Sequence, residues 1–483
     1  MSVDAERFVK TRLTWILGIV CMLFVLLTRT WGLHVDEIRY FHVAIREPLG
    51  DALESGKPFV FYVLNYALYH VFRWPAGWLH PLILPVFYAV ATVLALWFLA
   101  ARAVDAGAHR AWAVAVLLLS PFVLFNASQL MMETAQLPLL SVTLALLLSV
   151  SAGRHTSQHI LWLVAAAAGS VLIKETALPA LLILILAFFP VLGLRVWPLI
   201  AGAAIGSTAN ALLLRAIHAP LPPTHYGGMA QLWTSLTAGQ PWARTSSYLG
   251  VWGFFVGLAW LGALAVAVRR RDPMSWTLVA AGALSAGGVF LVQLATDPIL
   301  PFPRYAYPVM WAGLACCGIA CARTRTGWVS AAVVVLQLPI AGGLWPGTFS
   351  IIEHWPTLIT LESYNNSATI LSGTPAYGWI ATSPRALDDL CVYLPRGNAA
   401  GAAHTEMWFR DVARQVRFFD ERSYPAFQGC NAARAIVDRR FDVNACQEDV
   451  CSPSRYSIRS CLERDVLYFS ARIGPTKSRV CLP

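Results

Sequence analysis

The sequence predicts an α-helical polytopic membrane protein of about eleven transmembrane helices, followed by a C-terminal mixed α/β domain outside the membrane. Three observations lead there. Of the 483 residues, 57% are hydrophobic and only 13% are charged, against roughly 25% charged in a soluble domain. Apolar runs of about 20 residues, the length that crosses the hydrocarbon layer, recur as far as residue 346. Beyond about residue 351 the character changes to mixed polar sequence. The mean hydropathy of +0.57 averages over these two parts.

The elements follow in order. Apolar runs predict spans near 12–31, 78–101, 111–127, 132–151, 159–174, 176–192, 197–217, 246–268, 275–296, 303–322 and 326–346. They make up a membrane domain over 1–350, whose first outer loop, 32–77, carries interfacial helices. The stretch FVFYVLNYALYHVF (59–72) is apolar but short before Trp74-Pro75, so it reads as an interfacial or re-entrant helix and not a twelfth span. No small-residue cleavage site follows the first apolar run, so that segment is expected to stay in the protein.

Charge sets the direction. Residues 1–351 hold 21 Lys/Arg and 12 Asp/Glu, the remainder 15 and 14, so the net charge of +10 belongs mostly to the membrane part. With the N-terminus inside, the short inner loops carry Arg102 and Arg110, Arg154, Arg195, Arg269 to Arg271, and Arg323 with Arg325. This is the positive-inside pattern. It suits loop orientation and anionic lipid better than nucleic acid. Of the 12 acids before residue 352, only Asp4, Glu6, Asp105 and Asp272 then face inward. The inner loops are too short for a nucleotide-binding domain, and the chain has no DxD pair.

Eleven spans place residues 351–483 outside the cytoplasm. That segment holds Cys391, Cys430, Cys446, Cys451, Cys461 and Cys481. An even number of cysteines in an oxidising compartment reads as disulfides, with 15 possible connectivities. Cys21, Cys316, Cys317 and Cys321 fall in spans and read as apolar packing residues.

Candidate functional residues gather at outer span ends. Asp36 and Glu37 precede Ile38, Phe41, Ile45 and Leu49, whose spacing describes a surface helix with the acids at its start. Carboxylates there are stabilised as anions by the helix dipole, as a base requires; a solvated cap is the plain alternative. Glu133 lies in the turn between spans three and four, and Lys174 in the next outer turn. Lys57 lies in the first loop, and Arg304 with Tyr305 begins span ten. Each alone reads as an interfacial anchor. Collected on one face they make a site, with carboxylates to take a proton and cations to hold a phosphate.

The stretch DEIRYFHVAIRE, followed by KPFVFYVLNYALYHVF, resembles the first outer loop of the GT-C membrane glycosyltransferases. It resembles especially that of the lipid A aminoarabinose transferases and the protein O-mannosyltransferases. METAQLP, LIKET and PRYAYP resemble that family's second acidic turn, lipid-phosphate lysine and R-Y-x-x-P segment, so the likeness covers roughly residues 12–325. It implies catalytic positions at Asp36, Glu37 and Glu133, and donor phosphate or lipid contacts at Lys57, Lys174, Arg304 and Tyr305. Arg39, Tyr40 and Tyr62 would be further substrate contacts. One departure is chemical: the aminoarabinose transferases have a Glu before the Lys-Pro pair, where this chain has Gly56. A metal held through that Glu is not supported, and no cofactor or metal is expected.

The implied activity is transfer of a sugar from a polyprenyl-phosphate donor such as undecaprenyl phosphate to a lipid, glycan or protein acceptor. It would occur on the extracytoplasmic face with inversion, and Asp36 would be the base. A bacterial inner membrane with a periplasmic tail suits the composition. The alternative is a transporter or lipid flippase with an outer-face charged gate. Transporters tend to carry internal repeats and midplane charges, whereas here charges cluster at span ends.

Overall fold

The structure, a computed structural model, describes residues 59–71, 83–123, 130–154, 156–216, 252–295, 303–324 and 327–341, the single positions 19, 40 and 250, and five segments of the tail, 387–393, 413–419, 434–438, 465–469 and 476–477. The predicted first span and most of the first outer loop lie outside them. Among the described residues the chain divides into two compact units. One takes in 59–64 and 86–341; the other takes in 65–71, 83–85 and the five tail segments.

In chain order the helices are α1 (Phe59–Val71), α2 (Ile83–Arg102), α3 (Arg110–Leu118), α4 (Met132–Ser151), α5 (Ser157–Ile173), α6 (Ala177–Leu192), α7 (Trp197–Ala216), α8 (Leu258–Arg270), α9 (Pro273–Ala295), α10 (Tyr307–Cys321) and α11 (Gly327–Ala341). Among the described residues, five stretches are long and apolar enough to cross a membrane: Val86–Ala106, Met132–Ser151, Ala177–Ala216, Gly253–Arg270 and Pro273–Val292. The 40-residue stretch Ala177–Ala216 would run about 60 Å if straight, twice the hydrocarbon thickness. It is instead broken by the 3₁₀ turn Gly193–Val196, entered through Gly193 at φ +55°. The expected pair of spans is therefore present as α6 and α7. The chain is a polytopic helical membrane protein.

One length differs from the sequence expectation and another agrees with it. In the run expected to cross over 111–127, α3 ends at Leu118 and helical residues resume at 121–123, after a break at Leu119 and Ser120. Pro121 accounts for the break, because proline lacks the N–H and crowds the preceding turn. Helix α1 has 13 residues, about 20 Å by its rise, too short to cross, in keeping with an interfacial reading.

The bundle is organised around α10, whose fifteen residues are all buried. It packs against α3, α4, α6, α8, α9 and α11. A helix apolar all round belongs inside, and small residues let its neighbours approach. A Cβ on Gly313 would lie 2.1 Å from Ser285 Oγ, and one on Gly318 would lie 2.8 Å from Val116 Cγ1. The same device joins α7 to α5. Gly202 and Gly206, four residues apart, face Ala167 and Ala168 so closely that a Cβ would meet them at 2.6 and 2.7 Å. Large apolar side chains on the rim, such as Leu161, Trp162, Leu182, Leu186 and Phe189, are exposed. Lipid tails solvate such a surface without cost.

The loops expected on one side of the membrane do meet at one end of the bundle. Arg154 pairs with Asp105 at 2.7 Å, and Ser149 donates to the same carboxylate at 2.8 Å. His109 N–H donates to Ala322 C=O at 2.7 Å. Arg323 pairs with Asp272 at 2.7 Å. Burial opposes the Asp272 anion, but hydrogen bonds from Arg323 and Ser275 outweigh it, and the carboxyl is held down to about 2.

In the tail, β1 (Leu387–Tyr393), β2 (Ala413–Phe419), β3 (Arg434–Asp438), β4 (Asp465–Phe469) and β5 (Thr476–Lys477) form a sheet of order β2-β1-β3-β4-β5. The pairs β1–β2, β1–β3 and β3–β4 are parallel, with Val392 opposite Phe418 and Ile436; β4–β5 is antiparallel. Parallel neighbours require crossover connections of a dozen or more residues, and the intervals between these strands are long enough for β1–β2, β1–β3 and β3–β4.

Candidate functional site

Glu133 stands in the first turn of α4, behind the extended residue Met131. Lys174 ends α5 with an extended backbone at φ −166°, and the turn through Glu175 and Thr176 leads into α6. Because α4 and α5 run antiparallel through a short connection, the start of one lies beside the end of the other. Lys174 Nζ donates to Glu133 Oε1 at 2.5 Å. Both are out of solvent, with side-chain exposures of 2% for Glu133 and 11% for Lys174.

A third element completes the ammonium's surroundings. Tyr305, buried in the 3₁₀ turn Pro303–Ala306 that leads into α10, places its ring face 4.2 Å from Lys174 Nζ. The ring quadrupole attracts the cation, and the low dielectric strengthens both contacts. Three of the residues expected to act together, Glu133, Lys174 and Tyr305, are thus brought together by α4, α5 and the entry to α10. This cluster lies at the end of α4 opposite Ser149 and its Asp105 partner.

Two further residues hold the cluster, and sequence reasoning passed over both. Gln136, fully buried and one turn after Glu133, donates its amide to Ser170 C=O at 2.9 Å and to Lys174 C=O. Its amide oxygen accepts from Thr176 Oγ1 at 3.0 Å. One side chain therefore ties down the turn that carries Lys174 and satisfies carbonyls left over at the end of α5. The available signal was an amide three residues after an acid at the start of an apolar run.

Of the remaining candidates, Asp36, Glu37, Arg39 and Lys57 lie outside the described residues. Arg304 falls in the same 3₁₀ turn as Tyr305 by its backbone, with its side chain outside the description. Tyr40 and Tyr62 are buried. Tyr62 meets Phe61 edge-on at 6.0 Å, and Phe61 stacks on Tyr88 at 6.1 Å. Cys316, Cys317 and Cys321 are free thiols buried in α10, as packing residues should be. Among the described residues no disulfide is present. Of the six tail cysteines only Cys391 falls on a described strand, and the side chains there are outside the description.

Fold and cluster together define a class: a polytopic helical membrane protein with a buried acid, ammonium and aromatic cluster at one end of its bundle. No family model matches the chain, and no curated protein matches it. Among solved structures it is similar to the crystal structure of ArnT from Cupriavidus metallidurans bound to undecaprenyl phosphate. The match has 14% identity, covers 86% of each chain and gives a TM-score of 0.42. A likeness of that size fixes no chemistry, and the function rests on the residues themselves.

Proposed function

We propose that the protein is a GT-C type glycosyltransferase that moves a sugar from a polyprenyl phosphate to an acceptor on the extracytoplasmic face. The observation that carries this reading is the cluster of Lys174 with Glu133 and Tyr305. A buried ammonium in a bilayer protein is expensive. Here it is paired with a carboxylate and faced by a ring, at the end of a helix. An ammonium has three donors, and Glu133 uses one of them, so the others can serve a phosphate oxygen.

In this reading Asp36 takes the proton of the acceptor hydroxyl as its oxygen bonds to the anomeric carbon. The bond from that carbon to the phosphate oxygen breaks, and the polyprenyl phosphate leaves with the electron pair. Attack opposite the leaving group inverts the centre. Lys174, Arg304 and Lys57 stabilise the growing charge on the phosphate, an electrostatic role that gains weight in a dry cleft. Glu133 keeps Lys174 aimed. Glu37, Arg39, Tyr40 and Tyr62 shape the acceptor and sugar side. The tail helps select the acceptor.

The test is direct. Purified full-length protein is incubated with radiolabelled polyprenyl-phosphate sugar and envelope extract as acceptor. Transfer of label with release of polyprenyl phosphate, lost in Lys174→Met, is the expected result. Passage of intact donor across a vesicle bilayer without sugar release would instead identify a flippase.

A further inference from the structure

At the end of the bundle opposite the Lys174 cluster, two arginines converge on a glycine in a way that the packing leaves unsatisfied. Arg323 follows α10 and is nine-tenths buried. Its Nη1 is fully engaged, donating to Asp272 Oδ1 at 2.7 Å and to Ser275 Oγ at 2.6 Å. The other edge of the guanidinium, Nε with Nη2, is the side-on fork that grips oxyanions in bidentate fashion. Nε is buried and has no acceptor among the described residues. That edge faces Gly107: a Cβ built there would lie 3.7 Å from Nη2 and 3.8 Å from Nε.

The second arginine closes the site from another direction. Arg270, at the end of α8, spends Nη1 on Arg323 C=O and Nε on Asp272 at 3.3 Å. Its Nη2 lies 4.0 Å from the same Gly107 point. Gly107 is exposed and has φ +76°, and a side chain there would lie in van der Waals contact with these guanidinium atoms. Three N–H-bearing nitrogens from two guanidinium planes thus border one position where the chain places no side chain, and two cations share the single carboxylate of Asp272. An unpaired buried donor is costly, and an oxyanion would remove that cost.

We infer that Arg323, Arg270 and Gly107 form a binding site for a phosphate oxyanion at this rim of the membrane domain. The helix stretches Val86–Ala106 and Gly253–Arg270 end at the site, which sets it at the depth of lipid headgroups. Arg269 and Arg271 beside it are exposed and add to the local positive field that draws anionic lipid. A tetrahedral phosphate offers several oxygens to donors in different planes, which one planar carboxylate does not. The source is an anionic phospholipid headgroup or free phosphate. This site is independent of the Lys174 cluster and of the activity proposed for it.

The experiment uses the delipidated full chain in a non-ionic detergent. The unfolding midpoint is followed while phosphatidylglycerol or, separately, sodium phosphate is added, with sodium chloride at matched ionic strength as the reference. The expected result is a saturable rise with at least one titrant. Gly107→Asp, which places its own carboxylate in the fork, should move that response to at least tenfold higher concentration. Asp tolerates positive φ better than most residues. Arg270→Gln, which leaves the Arg323–Asp272 pair intact, should weaken it in the same direction. A response to phosphatidylglycerol alone assigns the site to lipid, and a response to both titrants shows that the phosphate group suffices. No saturable rise with either titrant, or wild-type responses in both variants, would overturn the site.

Discussion

Lys174 and Glu133 are the residues at which stability and activity should separate most cleanly. Removing one partner of a buried pair strands the other charge, at a cost of about 3–5 kcal/mol. Lys174→Met should therefore lower the melting temperature sharply as well as stop transfer. The double variant Lys174→Met/Glu133→Gln buries no net charge and should regain most of that stability, yet stay inactive because the phosphate contact is gone. A double variant that melts and transfers like wild type would reduce the cluster to packing. Asp36 makes the complementary case. Asp36→Asn keeps size and helix capping, since Asn caps about as well as Asp, but removes the proton acceptor. Transfer should fall by about 10² or more with donor binding and melting unchanged, the usual share of a general base. A stable, donor-binding, fully active variant would end the catalytic assignment.

Among elements, the turn from α5 to α6 depends on a side chain of α4. Gln136→Leu removes three hydrogen bonds at once and leaves buried carbonyls of Ser170 and Lys174 short of donors. Each such loss costs about 1–3 kcal/mol. The variant should melt earlier and also raise the concentration of donor needed for half-maximal transfer, because Lys174 is no longer held in place. Gln136→Glu keeps the acceptor for Thr176 but loses both donations, so it should not rescue. Equal transfer by wild type and Gln136→Leu would make the strap irrelevant to function. The same turn shows what the sequence carries and what it hides. The run 132–151 was legible to the residue, because an apolar stretch between polar turns has one reading in a bilayer. Glu133, Lys174 and Tyr305 were legible because a charge or a tyrosine at a span end stands out against apolar neighbours. Gln136 was hidden because its partners are main-chain carbonyls, which no side-chain pattern reveals. The shortness of α3 turned on Pro121, whose effect was outweighed by the hydrophobicity of residues around it.

On the scale of the whole molecule, the two ends of the bundle carry different charged clusters, and each can be tested through solution conditions. At the Asp272 end the carboxyl is held down to about 2, below its ordinary value near 4. A depressed carboxyl contributes stability that is fully present above about pH 4 and is lost as pH falls through the folded value. Acid melts between pH 5 and pH 2 should show this loss in wild type, and Asp272→Asn should be less stable at neutral pH but flatter across that window. An unchanged slope in the variant would mean that the Arg323 latch adds nothing to the fold. The compartment of the tail is a separate question, which its cysteines can test. If the Arg-rich loops face the cytoplasm, an eleven-span chain would deliver residues 351–483 to the oxidising side, where their six cysteines would pair. Each bridge would add roughly 2–4 kcal/mol to a small domain. Cys316, Cys317 and Cys321 are free and buried in α10, and Cys21 belongs to the predicted first span, so none of the four has a tail partner. Thiol counting on protein denatured without reductant should therefore find four reactive thiols, and ten after reduction. Ten before reduction would put the tail in a reducing compartment or leave it unbridged. In the first case the Lys174 cluster would also face inward, and a lipid-borne sugar would lose its rationale as donor.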